Sequence, residues 1–247
     1  MARPGMSSIH PFYENGGKVV AISHAGVTSG GAKAGSLDAY VAARELGFRY
    51  FQIDVIKVGA ELVSHHAVWG RRIGWEAKTV DGLRAAGHVV ERVADIVEAI
   101  PDGRWNLEIK NRKAEQPLID YLRTQEDVVH RFGVSAPFHR RLLGRLRAEF
   151  GNELCTNASL LEGSLIGVPL IPQRVQHADA MQVLFPLVRS RRVIDLCRAK
   201  GIQFQAWPVN GREAMERLLD VGVRGIITDD HELLREVLIE RDEWEKT

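Results

Sequence analysis

Along the whole chain, short runs rich in β-branched and aromatic residues alternate with stretches whose apolar positions recur at helical spacing. The runs predict strands at residues 18–23, 50–57, 105–110, 128–134, 153–157, 181–187, 202–207 and 224–228. Between them, Val93, Ile96, Val97 and Ile100 form one helical stripe, and Met215, Leu218 and Leu219 form another. Gly47 and Gly222 follow two such stripes as helix stops, and Ser36, ahead of Leu37, Tyr40 and Val41, reads as an N-cap. Strand and helix alternating in this way predict parallel βα units. The expected fold is therefore α/β, a (β/α)8 barrel of the TIM type, with residues 1–247 as a single domain. The Gly- and Pro-rich stretch at 160–179 predicts a long loop overhanging the C-terminal ends of the strands, and the charged tract at 239–246 predicts a solvated helix end.

Composition adds mainly exclusions. Apolar residues make up 45% and charged residues 26%, ordinary for a globular domain. A formal charge of +1 gives no general field for nucleic acid or anionic lipid, so any anion site must be a local cluster. A small-molecule site is expected, with no nucleic-acid partner. No run of about 18 apolar residues could cross a bilayer, and the N-terminus lacks an apolar leader. The expectation is a cytoplasmic protein with no transmembrane segment. Cys155 and Cys197 lie in different elements without a partner at metal-ligand spacing and read as reduced thiols.

The barrel places its chemistry at the strand C-termini. Alternate strand residues share a face, so Gln52 and Asp54 in FQIDV point one way, as do Glu108 and Lys110 in NLEIK. Oxygen ligands from two strands beside an ammonium suit a hard divalent cation holding a phosphate. The competing reading is that Glu108 and Lys110 merely neutralise each other in the mouth. His24 closes the first strand in AISHAG, and His65 closes the run ELVSHH. Imidazoles there can act as general acid and base at neutral pH, although a lone strand-end His is more often structural. His66 is expected to face opposite to His65, so that only one of them points into the site. Trp207 at the seventh strand offers a flat apolar wall or a packing residue, and Asp229 after the eighth offers a helix cap or loop anchor.

Taken in order, His24-Ala25-Gly26, Ala34-Gly35, Gln52-Ile53-Asp54, His65-His66, Glu108-Ile109-Lys110 and the closing AWPVNGREAMERLLDVGVRGIITDD resemble the motif series of the glycerophosphodiester phosphodiesterase family. In that family the series reads His-Arg-Gly, Glu-Asn, Glu-x-Asp, His-Asp and Glu-x-Lys on a TIM barrel. The resemblance covers nearly the full length. It implies His24 and His65 as the acid and base pair, and Gln52, Asp54 and Glu108 as the shell of a divalent metal, Mg2+ or Ca2+. It further implies Lys110 as a phosphate contact and Trp207 as a wall of the alcohol pocket. The reaction implied is metal-dependent hydrolysis of a glycerophosphodiester or a related small or lipid-derived phosphodiester.

The chain departs from the pattern at several of these positions. Ala25 replaces an arginine and so removes a bidentate cationic fork. Ala34 and Gly35 replace Glu-Asn, Gln52 replaces a carboxylate, and His66 replaces an aspartate. Two anionic ligands in place of three predict weaker metal binding. Two further readings accompany the hydrolase. One is lysophospholipase D-like cleavage, or formation of a cyclic phosphate, at the same site. The other is a non-catalytic relative that binds a phosphorylated ligand.

Overall fold

A computed structural model describes residues 9–66, 78–137, 140–160, 178–188 and 191–245. Eight parallel strands close into a barrel: β1 (Val20–His24), β2 (Tyr50–Val58), β5 (Arg104–Ile109), β6 (Phe132–Ser135), β7 (Cys155–Leu160), β8 (Ala180–Leu184), β9 (Gln203–Trp207) and β10 (Gly225–Thr228). The seam is the pairing of β1 with β2, which sets His24 opposite Gln52. Outside the barrel, β3 (Glu61–Ser64) and β4 (Glu91–Arg92) extend β2 as an antiparallel edge. Among the described residues the α-helices are α1 (Leu37–Glu45), α2 (Val80–Ala85), α3 (Val93–Ala99), α4 (Glu115–Arg123), α5 (Val128–Arg131), α6 (Arg140–Phe150), α7 (Arg191–Ala199), α8 (Arg212–Asp220) and α9 (His231–Glu240).

The local signals read from the sequence operate as expected at several ends. The Ser36 hydroxyl accepts from the Ala39 amide at the start of α1. Gly47 and Gly222 turn with φ of +99° and +97°, the left-handed region that ends a helix cheaply only at glycine.

Two strand expectations are corrected. The segment expected as a strand at 128–134 begins with α5, and β6 occupies only Phe132–Ser135. Asp127 accepts from the His130 and Arg131 amides and bonds the His130 ring at 2.6 Å, closing a turn that the β-branched Val128-Val129 pair conceals. The strand expected to run to Leu187 stops at Leu184, because Pro186 lacks an N–H for the ladder and opens a 3-10 turn over Phe185–Leu187. Of the long loop expected at 160–179, residues 161–177 lie outside the described residues, as does Lys246 of the closing tract.

Strand alternation here is inverted relative to a simple hydrophobic interior. Ile53, Leu107, Val134, Val183 and Ala206 face outward into the main apolar core, where they meet Val93, Ile96, Leu118 and Leu218 of the helices. Their neighbours Gln52, Asn106, Asn157, Gln182 and Gln205 are buried inside the barrel, each no more than 5% exposed. Such a polar interior is tolerable only if it is hydrogen-bonded. The closed end of the barrel is sealed by Phe12 and Tyr13, packed on Val20, Ile22, Tyr50 and Ala180. Arg104 pins that plug by donating to the Phe12 and Glu14 carbonyls and the Tyr50 hydroxyl, each at 2.8 Å. The open end carries the site. Among the described residues no helix is long and apolar enough to cross a membrane.

Candidate active site at the barrel mouth

The last inward positions of β1, β2 and β5 bring His24, Asp54 and Glu108 to one rim, with Asp54 and Glu108 directly paired across neighbouring strands. Asp54 and Glu108 are 5% and 8% exposed, a costly place for two carboxylates without a cation. Lys110, two residues on from Glu108, turns its ammonium between them and bonds Glu108 Oε1. Its Nζ also forms an ion pair with Asp54 Oδ1 at 3.1 Å. Burial opposes the charge on Lys110, but Glu108 and Asp54 outweigh it and the net effect is a raised pKa. Burial also pushes the Glu108 carboxyl up, against the pull of Lys110 and with that of Asp54.

His24 and His66 meet in the mouth with ring centroids 4.9 Å apart and planes nearly perpendicular. The His65 Nδ1 bonds the Val89 carbonyl at 2.8 Å. The antiparallel pairing that sets Val55 against Ser64 carries the chain past Asp54, where the His65 amide donates to the Asp54 carbonyl. The following residue then swings inward. Gly35, at φ +82°, packs under this turn, and a Cβ there would lie 3.2 Å from the His66 nitrogen. The ring that meets His24 is that of His66. One ligand atom each from His24, Asp54 and His66 lies within 4.8 Å of the others, so these residues could hold a metal ion. Two imidazoles and a buried carboxylate are a donor set that fits a divalent cation.

The two imidazoles are perturbed in opposite directions. Burial works against the charged form of His24, but Asp229, bonded to its Nδ1 at 2.7 Å, and the Asp54 and Glu108 charges outweigh it and raise its pKa. Burial and the neighbouring His24 charge lower that of His66. Asp229 is in turn held by Asn210, whose Nδ2 donates to Oδ2 at 2.8 Å while its Oδ1 accepts from the Asp229 amide and the Thr228 hydroxyl. Burial would raise the Asp229 carboxyl, yet the His24 and Asn210 contacts win and pull it down to about 2. A carboxylate on Nδ1 fixes the tautomer and leaves Nε2 for chemistry.

Gln52 reaches the same rim, but its amide nitrogen donates to Glu108 Oε2 at 2.7 Å. Trp207 ends β9 beside the inner cluster, half-buried, with an indole nitrogen that finds no partner among the described residues. Ala25 is buried at φ +54° and brings no cation to the mouth. The sequence alone offers Asp229 as a cap or anchor, and the structure sets it on His24 instead. The usable signal was positional, since β10 pairs with β1 with Thr228 opposite Ser23, which sets Asp229 beside His24.

A parallel barrel whose open end gathers carboxylates, an ammonium and an oppositely perturbed pair of imidazoles has the equipment of a barrel hydrolase. The glycerophosphoryl diester phosphodiesterase family model matches residues 163–233. The protein named probable glycerophosphodiester phosphodiesterase 2 of Mycobacterium tuberculosis is 31% identical over 255 residues, covering 95% of this chain and 96% of that one. Among solved structures, the glycerophosphodiester phosphodiesterase of Thermotoga maritima superposes with a TM-score of 0.73 at 20% identity, over 89% of this chain and 98% of its own. A phosphodiesterase of Oleispira antarctica, solved with its product sn-glycerol-3-phosphate, superposes with a TM-score of 0.72 at 18% identity, over 90% and 97%. The chain belongs to the glycerophosphoryl diester phosphodiesterase family and is a phosphoric diester hydrolase.

Proposed function

We propose that this chain hydrolyses a glycerophosphodiester or a related small phosphodiester, releasing an alcohol and a phosphomonoester such as glycerol 3-phosphate. The observation that carries this reading is the pair of imidazoles, 4.9 Å apart at the carboxylate-lined mouth and shifted in opposite senses. Neutral His66 takes a proton from the attacking water, and the His24 imidazolium gives one to the departing alkoxide, so protons balance over the P–O bond made and the P–O bond broken. Lys110 meets the phosphoryl charge, and Trp207 walls the alcohol group. Asp54 and Glu108 would hold a divalent cation, Mg2+ or Ca2+, which supplies charge neutralisation at the phosphoryl oxygens. The name of the Mycobacterium tuberculosis relative and the product bound in the Oleispira antarctica enzyme support glycerol 3-phosphate as one product half.

A second metal set is favoured by the clustering of His24, Asp54 and His66. Imidazole ligands favour a transition ion such as Mn2+ or Zn2+ over Mg2+ and Ca2+. Calorimetric titration with each ion separates the two sets: His24→Ala and His66→Ala leave affinity unchanged if Asp54 and Glu108 hold the ion, and abolish it otherwise. The activity itself is tested on a panel of phosphodiesters with Mg2+, Ca2+, Mn2+ or chelator, read by phosphorus NMR. A phosphomonoester supports hydrolysis, an accumulating cyclic phosphate redirects the reading to internal attack, and no turnover of any diester refutes it.

A further inference from the structure

Inside the barrel, hydrogen bonds run from the closed end to the mouth. The Tyr13 hydroxyl donates to Asn157 Oδ1 at 2.8 Å, and the Cys155 thiol converges on the same oxygen at 3.3 Å. Asn157 Nδ2 donates to Asn106 Oδ1 at 2.9 Å, and Asn106 Nδ2 to Gln52 Oε1 at a longer 3.4 Å. Gln52 Nε2 then donates to Glu108 Oε2 at 2.7 Å. Between the strands of Asn106 and Asn157 lies Gly133, paired with Asn106 on one side and Cys155 on the other. A Cβ at Gly133 would sit 3.2 Å from Asn157 Nδ2, so the missing side chain is what lets one amide reach the next across a whole strand.

An amide has one donor end and one acceptor end, so the direction of such a chain is fixed wherever a terminus is fixed. From the mouth, an ionised Glu108 can only accept, which forces the Gln52 NH2 toward it, the Gln52 oxygen toward Asn106, and so on inward. At the closed end, the Tyr13 hydroxyl and the Cys155 thiol both lie on the Asn157 oxygen as donors, which matches the same orientation. The carboxylate end sets the direction and the closed end is compatible with it, and Glu108 is held on both oxygens, by Gln52 on one and Lys110 on the other.

We propose that Gln52 is a positioning residue, not a metal ligand: its amide aims Glu108 from below, and Asn106, Asn157 and Tyr13 set the direction of that amide. The proposal rests on the reading of Glu108 as a residue of the phosphodiester site. It also accounts for a glutamine where the family pattern has a carboxylate, because a carboxylate cannot donate to Glu108.

The test is a double-mutant cycle on the intact protein with Asn106→Leu and Gln52→Leu, both close in size to the residue removed. Each single variant is expected to lose roughly 10- to 100-fold in kcat, the usual scale for a lost outer-shell bond, with KM held within about threefold. The double variant is expected to be no slower than the slower single one. Wild-type kcat in Asn106→Leu, or losses that multiply, would overturn the proposal. Glu108→Gln serves as the control on the underlying reading: full activity there sinks the role of Glu108 itself, whereas a dead Glu108→Gln beside an active Asn106→Leu sinks only the chain. Should Asn106→Leu fail to fold, nitrogen-15 NMR of the wild-type chain decides, with Gln52→Leu assigning the signal. A Gln52 side-chain NH2 with one proton shifted downfield and protected from exchange supports the chain, and a freely exchanging pair refutes it.

Discussion

Replacing Asp229 by asparagine keeps the size of the side chain and removes the charge that faces His24 Nδ1 at 2.7 Å. The fall of the Asp229 carboxyl from 3.8 to about 2 corresponds to about 2.4 kcal/mol at 1.36 kcal/mol per pKa unit. Asn210 supplies part of this, and the Asp229 side chain is 47% exposed, so solvent screening leaves about 1 kcal/mol for the pair with His24. That is roughly a fivefold change in the imidazolium population at a given pH. The sign follows from the roles: the acid must be protonated, so the alkaline limb of the rate profile tracks His24, while the acid limb tracks His66. In Asp229→Asn the alkaline limb is expected to move to lower pH and the acid limb to stay in place, so that kcat falls by up to about fivefold on the alkaline limb, more if the ring loses its orientation. The stability contributed by the depressed carboxyl is present above its ordinary pKa and disappears as pH falls through about 2. The variant is therefore less stable than wild type at neutral pH, and the difference vanishes in strong acid. The assay is kcat against pH for both proteins at saturating substrate and ion. An alkaline limb that stays where it was, or movement of the acid limb instead, refutes the assignment of His24 as the acid.

His66→Ala is expected to cost roughly 10²- to 10⁴-fold in turnover and His65→Ala only a few-fold, as one ring stands by His24 and the other by the Val89 carbonyl; equal losses in steady-state kinetics would refute the difference. Gln52→Glu sets a carboxylate where a nitrogen now lies 2.7 Å from Glu108, and like charges that close demand a cation, so calorimetry is expected to show tighter divalent binding. His231, 4% exposed and bonded to the Ser23 hydroxyl at 2.8 Å, is lowered by burial from 6.5 to about 4. Between those values the unfolded chain binds a proton that the folded one refuses, so stability drops by about 3 kcal/mol as pH falls from 6.5 to 4. His231→Gln is expected to flatten that part of the Tm against pH curve.

Much of the frame was legible in the chain because it rests on local rules. Alternating runs and stripes gave eight strands near their observed places, and Ser36, Gly47 and Gly222 act where capping chemistry puts them. The errors fell where a neighbour overrides a propensity, as in the turn that Asp127 closes with His130 ahead of β6. Within the site, period-2 alternation groups Gln52 with Asp54 on β2, and Lys110, one residue past β5, still turns back onto Glu108.

Partnership was a different matter. The sequence established a barrel, a mouth and the residue types gathered there, because period, caps and turns act over a few residues. Folding brought the His66 ring to His24, since a hairpin edge and the bare Cα of Gly35 steer that turn. Folding also joined His24 to Asp229 across 205 positions and Tyr13 to Asn157 across 144. Contacts of that kind form only when the sheet closes on itself, and no periodicity in a linear chain encodes which strand will lie beside the first.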